Sequence, residues 1–339
     1  MDYTSTNFMI GVLDNLPAPS SFLLDTFFPQ VQTEASEEIH FDVLDRTRRL
    51  APFVSPVVAG KVQASQGHTT KTFKPAYVKP KEAFDMNRPI KRAAGERIGG
   101  NMSPSQRAQM IMAGIIADQR DQIIRRLEVM ASEALRTGKV TVSGDQYSTQ
   151  VVDFGRHTDN TITLTSGSKW GESGVKPLAD LNEWALEVLQ RSGAKPTEVV
   201  MDTDAWTTFS QDDEVKDRLD TRRVNNAVMS MGGPAGIGGT YMGTIDGFNI
   251  WVYADWYIDP DDGDEKPVMP SNTVILGGQR VEGVRAFGAI RDESAGLQAM
   301  EMFPKSWVVE DPSVRYVMTQ SAPLVVPTRV NHTFCATVG

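Results

Sequence analysis

Four groups of residues in this 339-residue chain are of types that could do chemistry. The first is the glycine-rich stretch MGGPAGIGGTYMG, residues 231–243. It would cradle a phosphate if it matched a nucleotide-binding pattern. A P-loop closes on Gly-Lys-Ser/Thr, and no lysine follows here. A dinucleotide site places its glycines between a strand and a helix, whereas strand-forming residues follow this stretch. It reads as a flexible loop from Gly232 to Gly243. The second group is DPDDGDE, residues 259–265. A calcium loop of the EF-hand type needs glycine sixth and a bidentate glutamate twelfth. Counted from Asp259, Gly263 is fifth and Pro270 is twelfth, so the acids read as a hairpin tip between Trp256-Tyr257 and Val268. The third group is His40, His68, His157, His332 and the single Cys335. None stands at metal-ligand spacing from another. No Gly-x-Ser-x-Gly elbow exists, and the carboxylates show no spacing that selects an acid–base pair. No catalytic residue, cofactor or metal is expected, and the chain is not expected to be an enzyme.

The fourth group is KTFKPAYVKPK, residues 71–81, where Lys71, Lys74, Lys79 and Lys81 alternate with Phe73, Tyr77 and Val78. Basic and aromatic residues together suit nucleic acid. They also suit an extended arm with no core of its own. The charge pattern bears on the choice. Net charge is −9, but residues 1–45 hold eight acids and no lysine or arginine, while residues 46–98 hold twelve bases against three acids. An acidic segment runs straight into a basic one, and such segments suit complementary patches on other chains, where charge sets register. One cysteine excludes a disulfide within the chain and fits a reducing compartment. No run approaches the roughly 18 apolar residues of a membrane span, and no basic-then-apolar leader opens the chain. Folding in a cytoplasm and no membrane partner are expected.

The elements that must carry these groups are unequal in kind. Residues 1–35 read as an arm, broken by Pro17, Pro19 and Pro29. Phe22, Leu23, Leu24, Phe27 and Phe28 cluster there around a short helix opened by Ser20 or Ser21. Apolar residues in a terminal arm need a surface to land on. Residues 36–90 read as a long hairpin, going out from Glu38 through LAPFVSPVVAGKVQAS and returning through TTKTFKPAYVKPKEAF. Its prolines mark edges, and a two-stranded ribbon that long is marginal in water alone. Residues 103–137 carry the clearest helix: Ser103 caps, Pro104 takes the first position, Gln106 completes a capping box and Gly138 stops it. Ala108, Met112, Ile115, Ile116, Ile123, Leu127, Met130 and Ala134 recur at helical spacing on it. Strands are expected near 139–142 and 149–154. Beyond them lie a helix ending at Ser192-Gly193, the strand 198–201, a helix near 205–209, and strands near 248–253, 273–276, 284–290, 314–319, 324–326 and 334. The class is α+β.

Several segments together resemble a known family. LAPFVSPVVAGKV, FKPAYVKPK, RLDTRR at 218–223 and FPKSWVVEDPSVRYVMTQSAPLVV at 303–326 are similar to the lambda-type major capsid (major head) proteins of tailed bacteriophages. The resemblance covers nearly the whole chain, and its last motif is the most specific. It implies the tailed-phage major capsid fold, Hong-Kong-97-like. The N-terminal arm would be 1–35 and the extended loop 36–90. The peripheral domain would be 91–165 with 305–339, holding the spine helix 103–137, and the axial domain 166–304. It implies a structural subunit of an icosahedral head around double-stranded DNA, assembled in the host cytoplasm and ending in the virion. Implied partners are copies of itself in hexamers and pentamers, a separate scaffolding protein, a portal, a decoration protein, and packaged DNA met on the inner face without sequence-specific binding. Contacts between copies are expected at Phe22, Phe27, Phe28, Lys71, Phe73, Lys74, Tyr77, Lys79 and Lys81. The alternative is a DNA-contacting protein that uses the basic region 46–98.

Overall fold

The helices of the computed structural model, in chain order, are α1 (Thr6–Asn15), α2 (Phe22–Phe27), α3 (Pro104–Thr137), α4 (Pro177–Ser192), α5 (Thr203–Gln211) and α6 (Asp213–Arg218). The residues described are 4–17, 21–36, 38–44, 50, 51, 53–57, 59, 68–84, 102–144, 147–218, 238–296, 298–311 and 314–339.

Local signals alone account for α3. The Ser103 hydroxyl accepts from the Gln106 N–H at 3.2 Å, and the Gln106 carboxamide accepts from the Ser103 N–H at 2.9 Å, closing the expected box. At the other end Gly138 adopts φ 69°, which a side chain would resist. The last carbonyls of α3, on Leu135 and Arg136, accept from the Arg156 guanidinium, a cation placed where the helix dipole favours one. All eight apolar positions expected to face inward are buried. At 34 residues α3 is ~50 Å long, too long for one neighbour to cover. Its N-terminal half packs with Met9 of α1, Phe84 and Val317. Its C-terminal half packs with α2 and the strands around Val140, Val152 and Leu324–Val326. Midway, buried Gln119 donates to the Val317 carbonyl at 3.0 Å and accepts from the Thr319 hydroxyl at 2.8 Å, pinning the spine to a sheet.

That sheet has three antiparallel strands, Phe303–Val309, Val314–Gln320 and Lys81–Phe84, with Lys81–Phe84 on one edge. A second three-stranded sheet joins Gln30–Thr33 in parallel to Gly283–Phe287, which pairs antiparallel with Pro323–Pro327. The largest sheet is mixed and six-stranded, in the order Thr161–Thr163, Phe334–Thr337, Thr273–Gly277, Glu198–Met201, Phe248–Tyr253, Gly239–Ile245. Its central strand Thr273–Gly277 is buried throughout, and α4 and α5 pack on the sheet through Trp184, Val188 and Phe209.

Three features differ from expectation. The strand Phe334–Thr337 was grouped with the spine helix but pairs with Thr273–Leu276 inside the six-stranded sheet. The glycine-rich stretch is a strand from Gly239 onward, paired with Phe248–Tyr253, while its residues 231–237 lie outside the described part. Helix α1 was not expected at all. The acidic segment is a hairpin, Trp256–Ile258 against Glu265–Pro267, as read. Lys266 stands 2.6 Å from Asp259 and 2.5 Å from Asp262, so the tip carries its own counter-ion.

Candidate subunit interface

The hairpin forms as expected at its base, where Ile39–Leu44 pairs antiparallel with His68–Phe73 in continuous register. The return strand then lies along the chain's own body. The Lys71 ammonium donates to the Asp153 carbonyl. Phe73 is buried in the cluster that holds the Phe41–Phe154 ring pair, whose centroids are 5.6 Å apart. The carbonyl of Lys74 accepts from the Tyr147 hydroxyl at 2.9 Å. Tyr77 donates to the Ala289 carbonyl at 2.8 Å and accepts from the Arg291 N–H at 3.2 Å. Val78 and Ser321 exchange backbone bonds of 2.8 and 3.0 Å. Lys79 stands 4.7 Å from the centre of the Tyr77 ring, and Lys81 is 4.0 Å from that of Tyr316. Pro75 and Pro80 cannot donate to a ladder, so the segment between the two strands is held by side chains, one bridge and the Thr319 N–H, which donates to the Pro80 carbonyl at 3.2 Å. Lys74, Lys79 and Lys81 remain exposed along it.

Farther out, the hairpin turns apolar side chains to solvent. Leu50, Phe53 and Val57 are 90, 103 and 92% exposed. Fully burying a side chain of this kind contributes roughly 1.5–3 kcal/mol, so a strip of three left in water is a strong claim on some other surface. Pro56, beside Val57, has no N–H to give to a ladder there.

The arm behaves differently. Phe22, Phe27 and Phe28 were expected to land on another copy. They are 7, 0 and 0% exposed, covered by the chain's own body. The seat is cut for them. A Cβ at Gly239 would overlap the Phe22 ring, one at Gly277 would come within 2.8 Å of the Phe27 ring, and one at Gly283 would strike the Phe27 carbonyl and the Phe28 ring. Gly239 therefore serves close approach rather than loop flexibility. Phe22 stacks near Tyr253 at 5.6 Å and meets Trp251 at 5.1 Å. The polar anchor is Glu128 of α3. Its carboxylate accepts from the Leu23 N–H at 2.7 Å, the Leu24 N–H at 3.1 Å and the Tyr253 hydroxyl at 3.1 Å. Burial pushes its pKa up to about 7, against the opposing pull of those three donors. At the far end of α2, Arg285 donates to the Phe28 carbonyl at 2.8 Å and pairs with Asp25 at 2.6 Å.

Glu128 was not among the residues expected to matter. Its signal was available: Ile124, Glu128, Ala131 and Leu135 share one helical face, and a carboxylate within such a stripe needs a partner. Among the described residues, no group of three ligating side chains could hold a metal ion, and no helix is long and apolar enough to cross a membrane.

Residues 5–338 match the family model described as phage major capsid protein E. The chain is 32% identical over 335 residues to the major capsid protein of Enterobacteria phage P21, covering 96% of each. It is 31% identical over 315 residues to the major capsid protein of Escherichia phage lambda, covering 89% of each. Among solved structures, a prophage capsid protein of Escherichia coli CFT073 superposes with a TM-score of 0.78 at 26% identity, over 98% of this chain and 99% of that one. The capsid of Ralstonia phage GP4 superposes at 0.54 with 12% identity, over 95% and 91%, a likeness of fold alone.

Proposed function

Because the chain belongs to the phage major capsid protein E family, we propose that its copies build the icosahedral head of a tailed phage around double-stranded DNA. The observation that carries this reading within the molecule is the apolar strip Leu50, Phe53 and Val57, which a lone copy leaves in water. A second copy covers it. The exposed lysines of the return strand then set register against acidic surface on that copy. The arm, by contrast, is already seated on its own subunit, so Phe22, Phe27 and Phe28 position the arm and leave the joining of copies to the hairpin. Residues 166–304 supply the tips that gather in hexamers and pentamers, with residues 91–165 and much of 305–339 forming the periphery. A separate scaffolding protein, a portal and a decoration protein complete the head. The chain's net charge of −9 favours a wall past which packaged DNA slides. The chain acts by assembly in the host cytoplasm rather than by catalysis, and its destination is the virion.

The alternative, DNA contact through residues 46–98, finds less support. Much of that region lies outside the described residues. Of its described lysines, Lys71 is engaged with the chain's own Asp153 carbonyl. The test is a double substitution, Phe53→Asp with Val57→Asp, imaged by negative stain after co-expression with the scaffold. Closed polyhedral particles from the wild type, and soluble subunits with an unchanged melting temperature from the double variant, are expected. Normal particles from the variant would remove the hairpin from the interface. No particles from the wild type would remove the shell function.

A further inference from the structure

Between α3 and the acidic hairpin lies an open groove of about 650 Å³. Its apolar wall comes from Val78, Val129, Trp256, Ile258 and Pro260. Trp256 is 50% exposed and Ile258 72% exposed, so this copy's own described residues leave both in water. An exposed tryptophan beside a concave apolar wall marks a place where another chain docks. The charge of the rim narrows the choice of chain. The hairpin, residues 256–267, holds five acids against one lysine. Lys266 answers Asp259 and Asp262, whereas Asp261, Asp264 and Glu265 are exposed and make no ion pair among the described residues. Arg125 and Arg126 stand on the α3 wall, within electrostatic reach of Asp255 and Asp259. Even with these two bases counted, the groove is acidic on balance.

The strip that a lone copy leaves bare has the complementary properties. Residues 50–57 read LAPFVSPV, with Leu50, Phe53 and Val57 almost wholly exposed. A segment with prolines is stiff before it binds, and such segments lie well against aromatic walls. Residues 46–61, which contain it, hold four bases and no acid. We infer that the groove receives residues 50–57 of a second copy, with Phe53 against Trp256 and Ile258 and the flanking bases toward the acidic rim. The inference rests on the shell reading above and adds to it the surface that covers the strip. Strip and groove are different patches of one molecule, so the contact runs head to tail. Each copy gives its strip to one neighbour and takes the strip of another, and such contacts close into rings where the rotation allows. Val78 and Pro80 of the return strand also line the groove, so a strip seated there lies beside the receiving copy's own hairpin.

The experiment replaces Gln122, an exposed residue on the α3 wall of the groove, with the photo-crosslinking residue p-benzoylphenylalanine in the full-length chain. The variant is co-expressed with the scaffold, and its shells are irradiated and digested with trypsin. Mass spectrometry then identifies the peptide joined to position 122. Trypsin cuts after Arg49 and Lys61, so the strip leaves as the single peptide 50–61. That peptide is the expected attachment, from products that before digestion have the mass of two or more chains. A scaffold peptide, another segment of the chain, or no attachment in irradiated shells overturns the inference and leaves the shell reading standing. Absence of shells from the wild type removes the shell reading, and this inference with it. The second variant is Ile258→Asp, which alters a side chain already in water. It should keep the wild-type melting temperature and lose closed particles in negative stain. Particles from Ile258→Asp in normal yield overturn the inference as well.

Discussion

The Glu128 carboxyl makes the stability of the arm depend on pH in a direction that can be worked out. Two effects oppose each other at this group. Two backbone N–H groups and a phenol donate to it, which favours the ionised form; burial against apolar neighbours favours the protonated form and is the larger effect. The folded pKa is about 7 against an ordinary 4.5, so the folded state holds the proton longer than the unfolded chain does. The stabilisation from this group is therefore fully present below pH 4.5 and is lost as pH rises through about 7. At 1.36 kcal/mol per pH unit the whole span comes to ~3 kcal/mol. The assay is urea unfolding of the unassembled subunit from pH 4.5 to 8.5, for the wild type and for Glu128→Gln. Glutamine keeps the size of the side chain and removes the titration. It also sets an N–H₂ against one of the two backbone donors, at a cost that does not vary with pH. Subtracting one curve from the other isolates Glu128 from every other titrating group. The difference should fall by ~3 kcal/mol across the range, half of it lost by about pH 6, midway between the unfolded and folded pKa values, and hydrogen exchange at residues 22–28 should speed up over the same interval. A difference that is flat, or that rises with pH, would show that the three donors outweigh burial, and the reasoning about this anchor would fail.

Other substitutions test the packing around the same elements. Gly283→Ala places a methyl group against the Phe27 carbonyl and the Phe28 ring, so it should destabilise by ~1–3 kcal/mol and make the arm a preferred site of limited proteolysis. Gly114→Ala, in the interior of α3 where an added Cβ meets nothing within 4 Å, should stabilise by ~0.5–1 kcal/mol and raise the melting temperature. Asp202 caps α5 by accepting from the Asp204 and Ala205 N–H groups at 3.0 and 3.2 Å, and it also accepts from the buried Thr273 N–H at 3.0 Å. Asp202→Ala should therefore cost more than a surface cap, ~2–4 kcal/mol in urea unfolding, whereas Asp202→Asn should recover most of the loss.

What could be read in the sequence, and what could not, follows from how far apart the interacting residues are. Helix α3 was legible to the residue because its cap, its stop and its apolar stripe all lie within the segment itself. The hairpin base was legible because residues 39–44 and 68–73 both alternate and a turn signal separates them. Helix α1 was missed because Gly11 and the polar ends of TNFMIGVLDN blunt its periodicity; tertiary contact of Met9 with Met112 and Ile116 supplies what local propensity lacks. The destination of the arm was the largest miss. Its five apolar residues were seen correctly as needing a surface. That surface is assembled from Gly239, Gly277 and Gly283 of three different strands and from Glu128, whose partners lie 104 and 105 residues away. A glycine that makes room for a ring looks the same in sequence as a glycine that bends a loop, so the seat is visible only once the strands are in register. This separates two ways in which a chain can present apolar residues. Those of the arm are paired with a cavity of matching shape and a polar anchor on the same polypeptide. Leu50, Phe53 and Val57 have neither among the described residues. The second arrangement leaves surface for another copy to cover, and for that reason the hairpin, with its lysine-bearing return strand, is where assembly is expected to be decided.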